Sequence, residues 1–83
     1  MKLVYFAWLR EHVGIDEEQV DLPATIATVE DLLIWQKGRG DGYALAFAEP
    51  ETVRVALDQF HAEQDDPVDR VEEIAFFPPM TGG

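Results

Sequence analysis

Side-chain chemistry needs a nucleophile, a base or a set of metal ligands, and this chain of 83 residues offers few of them. Cysteine and serine are both absent, which removes thiol and seryl nucleophiles and every Cys-type zinc site. The two histidines, His12 and His61, stand far apart with no His-x-x-x-His spacing, so no metal site is expected. Asp65-Asp66-Pro67-Val68-Asp69 is rich in carboxylates, but Arg70 occupies the sixth position, where a calcium loop requires glycine. It reads as a solvated turn. Arg39-Gly40-Asp41 spells a cell-adhesion tripeptide, which reads as coincidence in a chain without cysteine or a signal peptide. Gly38, Gly40 and Gly42 lack the Lys-Ser/Thr of a phosphate-binding loop and follow no strand, so they read as a flexible connector.

What remains is the end of the chain, Pro78-Pro79-Met80-Thr81-Gly82-Gly83. Two prolines end sheet pairing and project the chain outward. Six residues reach about 20 Å when extended. Glycines without a Cβ pass a narrow channel and adopt backbone angles closed to other residues. This is the arrangement wanted when the reacting group is a C-terminal carboxylate, here that of Gly83, threaded on Pro79, Met80, Thr81 and Gly82.

The tail needs a body to hold it. Leu3-Val4-Tyr5-Phe6 has the β-branched and aromatic content of a strand. Its alternation sets Lys2, Val4 and Phe6 on the wet face. Residues 7–13 read as a short helix closed by Gly14 in the left-handed conformation. Residues 17–22 read as a second, half-exposed strand returning antiparallel to the first. Thr28-Val29-Glu30-Asp31 is a capping-box variant, and Val29, Leu32, Leu33 and Gln36 follow at helical spacing up to Lys37 and Gly38. Residues 43–48 fit a short helix or irregular packing equally. Val53, Val55 and Leu57 alternate as a third strand, residues 60–62 form a very short fourth, and residues 72–77 form the last.

The order β-β-α-β-β-β with one main helix predicts an α+β fold, a mixed sheet with the helix across one face. The first and last strands would then be central neighbours, the ubiquitin-like β-grasp arrangement. Residues 1–77 form the β-grasp domain and residues 78–83 its extended tail. Val4 and Phe6 would face outward beside Ala75 and Phe77, with His61 on the same face, giving an apolar partner surface at the root of the tail.

Composition narrows the partners. Six Lys plus Arg against seventeen Asp plus Glu give a net charge of −11, while 47% hydrophobic residues are too many for a disordered acidic tail. So strong an acidity disfavours nucleic acid and anionic membranes alike. It favours proteins with basic surfaces. No stretch approaches the roughly 20 apolar residues of a membrane span, and Leu3 to Leu9 lacks the cleavage site of a signal peptide. A cytoplasmic location is expected.

The closing run Glu73-Ile74-Ala75-Phe76-Phe77-Pro78-Pro79 leading into Gly82-Gly83 resembles the small, sulfur-carrier subunits of molybdopterin synthase. The resemblance covers essentially the whole chain, including Leu3-Val4-Tyr5-Phe6-Ala7, Leu9-Arg10-Glu11 with Gly14, and Thr28-Val29-Glu30-Asp31-Leu32. Two departures stand out: Leu57-Asp58 where a Val-Asn pair is usual, and Val71 in place of a turn glycine. The resemblance implies a role in molybdenum cofactor biosynthesis. An activating enzyme adenylates Gly83 with ATP, a sulfur donor converts the acyl-adenylate to a thiocarboxylate, and the sulfur builds the dithiolene on cyclic pyranopterin monophosphate. It further implies a heterotetramer of two small and two large subunits. The chain itself would bind no cofactor, and the catalytic groups would belong to the large subunit. Sulfur carriers for thiazole, tRNA or amino-acid synthesis, ubiquitin-like modifiers and a plain acidic binding module remain alternatives.

Overall fold

The computed structural model describes residues 1–79. Along the chain run β1 (Lys2–Tyr5), α1 (Ala7–Val13), β2 (Glu17–Gln19), α2 (Val29–Lys37), α3 (Asp41–Ala46), β3 (Arg54–Leu57), β4 (Phe60–Ala62) and β5 (Glu73–Phe77), with a 3₁₀ turn at Pro50–Thr52. The five strands form one mixed sheet in the order β2-β1-β5-β3-β4. β1 and β5 are parallel central neighbours, in register Leu3 to Ile74 and Tyr5 to Phe76. β2 joins β1 antiparallel, and β3 joins β5 and β4 antiparallel. This is the expected β-grasp order, with additional short helices.

Alternation decides the faces. Leu3, Tyr5, Val55, Ile74 and Phe76 point inward and are buried. α2 brings Val29, Leu32, Leu33 and Gln36 into the same interior. Each aliphatic side chain withdrawn from water there contributes about 1.5–3 kcal/mol. Three rings form the centre: Tyr5 stacks on Phe76 at 5.5 Å, and Phe47 meets Phe76 edge-on at 5.2 Å. The strand that leads to the tail is thereby held by hydrogen bonds on both sides and by an aromatic cluster beneath it.

Local rules account for the helix ends. Thr28 Oγ1 accepts from the Asp31 amide at 3.3 Å, and Asp31 Oδ2 accepts from the Thr28 amide at 3.2 Å, completing the capping box. Gly14 closes α1 at φ 94°, a left-handed angle that suits glycine.

Three expectations need correction. β2 stops at Gln19 rather than running to residue 22: the Val20 amide still donates to the Met1 carbonyl at 2.9 Å, but Met1 lies just beyond the end of the partner strand, and Leu22 packs on the core from a loop. α3 starts at Asp41, before the ambiguous stretch and inside the supposed flexible connector. Gly42 is part of that helix, and a Cβ there would run into the carbonyl oxygen of His12 in α1. It is a packing glycine that lets the two helices approach. The departure at Asp58 also has a structural meaning. Asp58 and Gln59 take φ 49° and 74° in the β3–β4 turn, and Asp58 Oδ1 accepts from the amides of Glu72 and Glu73 at 3.0 and 2.9 Å. A short side-chain oxygen that tolerates the left-handed region is what this turn requires, and Asp supplies it as Asn would. Next to the other departure, Arg70 holds the positive angle, at φ 65°.

Candidate functional site

β5 lies in the middle of the sheet and ends at Phe77, so the chain leaves the body from its most firmly held strand. Pro78 and Pro79 follow, both partly buried. Neither donates a backbone hydrogen bond, which halts the ladder at that point. Of the residues expected to react or thread, Met80, Thr81, Gly82 and Gly83 lie outside the described residues. Pro79 lies at the root.

The five residues expected at a partner surface share the sheet face turned away from the helices. Val4 stands opposite Ala75, Ala75 opposite Ala56, and Ala56 opposite His61, one row across four strands. Phe77 sits on the same face opposite Arg54. Phe6, just past the end of β1, keeps extended angles and is 48% exposed. Its amide donates to the Phe76 carbonyl at 3.0 Å, which ties it to the strand that carries the tail. At the far end of this face Lys2 stands between Glu17 at 3.4 Å and Glu73 at 3.6 Å. The small side chains Val4, Ala56 and Ala75 leave the centre of the face flat, with Phe6 and Phe77 beside the tail.

Sequence reasoning missed a second surface at the same root. Ala7 takes φ 53° between the extended Phe6 and the body of α1, an uncommon angle for a residue with a Cβ. This turn parts the neighbouring aromatics. Trp8 lines a groove of about 390 Å³ with Leu45, Ala48, Pro78 and Pro79, and Glu49 stands at its edge. Leu45 is 62% exposed. Trp8 also meets the ring of His12 edge-on one turn along, at 6.1 Å. The groove joins three segments far apart in sequence, one of them the stretch whose helix was ambiguous, so no local pattern announced it.

The inner side of β2 carries an elaborate polar network, also unannounced. Glu18 receives the Arg39 guanidinium on both oxygens at 2.8 and 2.9 Å. It also accepts from the hydroxyls of Tyr5 at 2.6 Å and Tyr43 at 2.9 Å. Gln36 donates to the Tyr5 oxygen at 2.8 Å and accepts from Arg39 at 2.9 Å. Arg39 packs over the rings of Tyr43 and Trp35 at 4.2 and 4.7 Å. The arginine of the adhesion-like tripeptide is therefore engaged within the fold and unable to serve an outside receptor.

The hydrogen bonds from Arg39, helped by those of the two tyrosines, hold the Glu18 carboxyl down to about 2 against the opposing effect of burial. Burial, with the glutamate beside it, raises the Tyr5 hydroxyl well above the usual tyrosine range. A carboxyl whose folded pKa lies below its unfolded value stabilises the fold above the unfolded pKa and loses that contribution as pH falls toward the folded one. The window here runs from the ordinary value of 4.5 down to about 2. In acid titrations followed by circular dichroism, Glu18→Gln should lower stability at pH 7 and flatten the dependence on pH inside that window. A variant that retains the wild-type slope there would separate acid sensitivity from Glu18.

Comparison with known proteins follows the same lines. The model of the ThiS family matches residues 3–83. The molybdopterin synthase sulfur carrier subunits of Escherichia coli strain K12 and Haemophilus influenzae are 37% and 36% identical over 83 residues, covering 100% of this chain and 99% of each relative. Among solved structures, SAMP1 from Haloferax volcanii superposes with a TM-score of 0.70 at 26% identity, over 100% of this chain and 98% of that one. A putative molybdopterin converting factor subunit 1 from Pyrococcus furiosus gives 0.74 at 28% identity, over 95% of both chains.

Proposed function

The chain belongs to the ThiS family, and from that membership we propose that it is the sulfur carrier of a molybdopterin synthase, working through the carboxylate of Gly83. The observation that carries this reading is that the family match runs through residue 83, so the double glycine lies within it. The body supports it with a tail rooted on the central strand of the sheet.

The chemistry asks little of this chain's side chains. A carboxylate is a poor electrophile. In an activating enzyme its oxygen attacks the α-phosphorus of ATP, pyrophosphate leaves, and the acyl-adenylate carries AMP as a good leaving group. A sulfur donor displaces AMP to give the thiocarboxylate, an anionic nucleophile at neutral pH. In the large subunit this sulfur attacks a side-chain carbon of cyclic pyranopterin monophosphate and displaces an oxygen substituent; water then cleaves the acyl–sulfur bond, which leaves the sulfur on the pterin and returns Gly83 as a carboxylate. A dithiolene holds two sulfurs, so two carriers are used per pterin, in keeping with a heterotetramer of two small and two large subunits. ATP is the activating enzyme's substrate. Residues 78–83 act as the arm, Pro79 to Gly82 thread the channel, and the body of residues 1–77 docks through the face of Val4, Phe6, His61, Ala75 and Phe77. Among the described residues no helix is long and apolar enough to cross a membrane, and we place this chemistry in the cytoplasm.

Thiocarboxylated protein incubated with a large subunit and the pterin precursor should yield molybdopterin, with the carrier recovered as carboxylate. Transfer of its sulfur only to a thiazole or tRNA acceptor would overturn the assignment. Charge should speed the encounter: −11 on so small a body favours steering by basic partner surfaces. In stopped-flow measurements the association rate with the large subunit should fall about tenfold from low to physiological ionic strength, with a smaller change in dissociation. A flat association rate would exclude steering.

A further inference from the structure

We propose that the groove between α1, α3 and the proline pair is a second docking site for the large subunit, taking an apolar side chain with a Lys or Arg beside it to meet Glu49. The inference rests on the carrier reading above and adds to it a surface on the opposite side of the tail from the sheet face.

Position is the first argument. Pro78 and Pro79 form one wall of the groove, so whatever takes the following residues into an active site must come down against it. The second is exposed apolar surface. Trp8, 37% exposed, and Leu45, 62% exposed, line the groove together with the two prolines. A body of this size rarely gathers large exposed apolar side chains in one concave site without a protein to cover them.

Charge gives the partner's character. Glu49 is exposed at the groove's edge and forms no ion pair among the described residues. In a chain of net charge −11 it favours a cation at the edge of the contact and disfavours another carboxylate. The choice of the large subunit over the activating enzyme follows from the demands of a lasting interface. A stable subunit contact buries about 800 Å² per partner around a well-packed centre. The sheet face presents mostly small side chains, Val4, Ala56 and Ala75. A groove that accepts a large side chain adds a concave anchor to the Phe77 ring at the edge of that flat face, whereas activation calls only for a passing encounter.

The test uses full-length carrier labelled with 5-fluorotryptophan, which gives one fluorine resonance each for Trp8 and Trp35, assigned with Trp8→Phe. On titration with unlabelled large subunit the Trp8 resonance should shift, while that of Trp35, held against Arg39, stays in place. Leu45→Asp and Ala48→Arg change exposed positions, the first removing the apolar wall and the second filling the groove. Each should weaken binding to the large subunit at least about tenfold, with circular dichroism unchanged and adenylation by the activating enzyme within about threefold. Should Leu45→Asp fail to fold, Ala48→Arg alone decides. Wild-type affinity for the large subunit in a folded variant overturns the proposal, as does a Trp8 resonance unmoved at saturation. A loss confined to the activating enzyme overturns it in favour of that partner. If wild-type protein binds no large subunit at all, the carrier reading itself has failed, a result distinguishable from failure of the groove.

Discussion

Deleting Gly83 should abolish thiocarboxylate formation while leaving the fold intact. Loss of one residue draws the carboxylate back by about 3.5 Å, and displacements of that size destroy the alignment that in-line attack on a phosphorus atom needs. Adding a residue has the same outcome for a different reason, because the reactive carboxylate of Gly83 becomes an ordinary amide. Gly82→Val adds bulk and forbids positive φ where the chain is confined. Among the described residues the buried core ends at Phe76, so all three proteins should keep near-normal thermal midpoints yet give no molybdopterin. Each of these losses should exceed about a thousandfold, the scale expected when the reacting group is misplaced or removed. A C-terminally extended protein that still delivers sulfur, with its extension intact, would contradict the assignment to Gly83.

The second large effect is expected at Phe77. Its ring lies on the outer face opposite Arg54 and is only partly buried, while the neighbouring Phe76 is fully enclosed. Phe77→Ala should therefore cost about 1 kcal/mol or less in stability. An aromatic anchor at the centre of an interface is worth about 2 kcal/mol or more, roughly thirtyfold in affinity. Calorimetric titration with the large subunit, beside thermal melts, separates the two numbers. Equal binding by a folded variant would remove Phe77 from the interface.

What the sequence disclosed was local or periodic. The capping box at Thr28 is legible because both of its hydrogen bonds fall within four residues. The central strands are legible because burial of one face alone makes Leu3 and Tyr5, or Ile74 and Phe76, alternate with half-exposed neighbours. The sheet face was legible for the same reason, since it is the complement of the core. Leu22 misled because an apolar residue two places beyond Val20 packs equally well from a loop once the partner strand has run out at Met1. Gly42 misled more deeply: glycine weakens a helix, yet here it is what allows α3 to touch α1. The Glu18–Arg39 pair and the groove beside Trp8 depend on residues brought together by the finished topology, and neither leaves a pattern along the chain.

The most direct test of the central claim is the intact mass of the carrier after incubation with ATP, its activating enzyme and a sulfur donor. Replacement of one terminal oxygen by sulfur adds about 16 Da, and that increment should be present on the full-length chain, map to Gly83, and vanish on transfer to the pterin. A carrier whose mass stays unchanged, while an established sulfur carrier treated in parallel with its own enzyme gains the increment, would contradict the account.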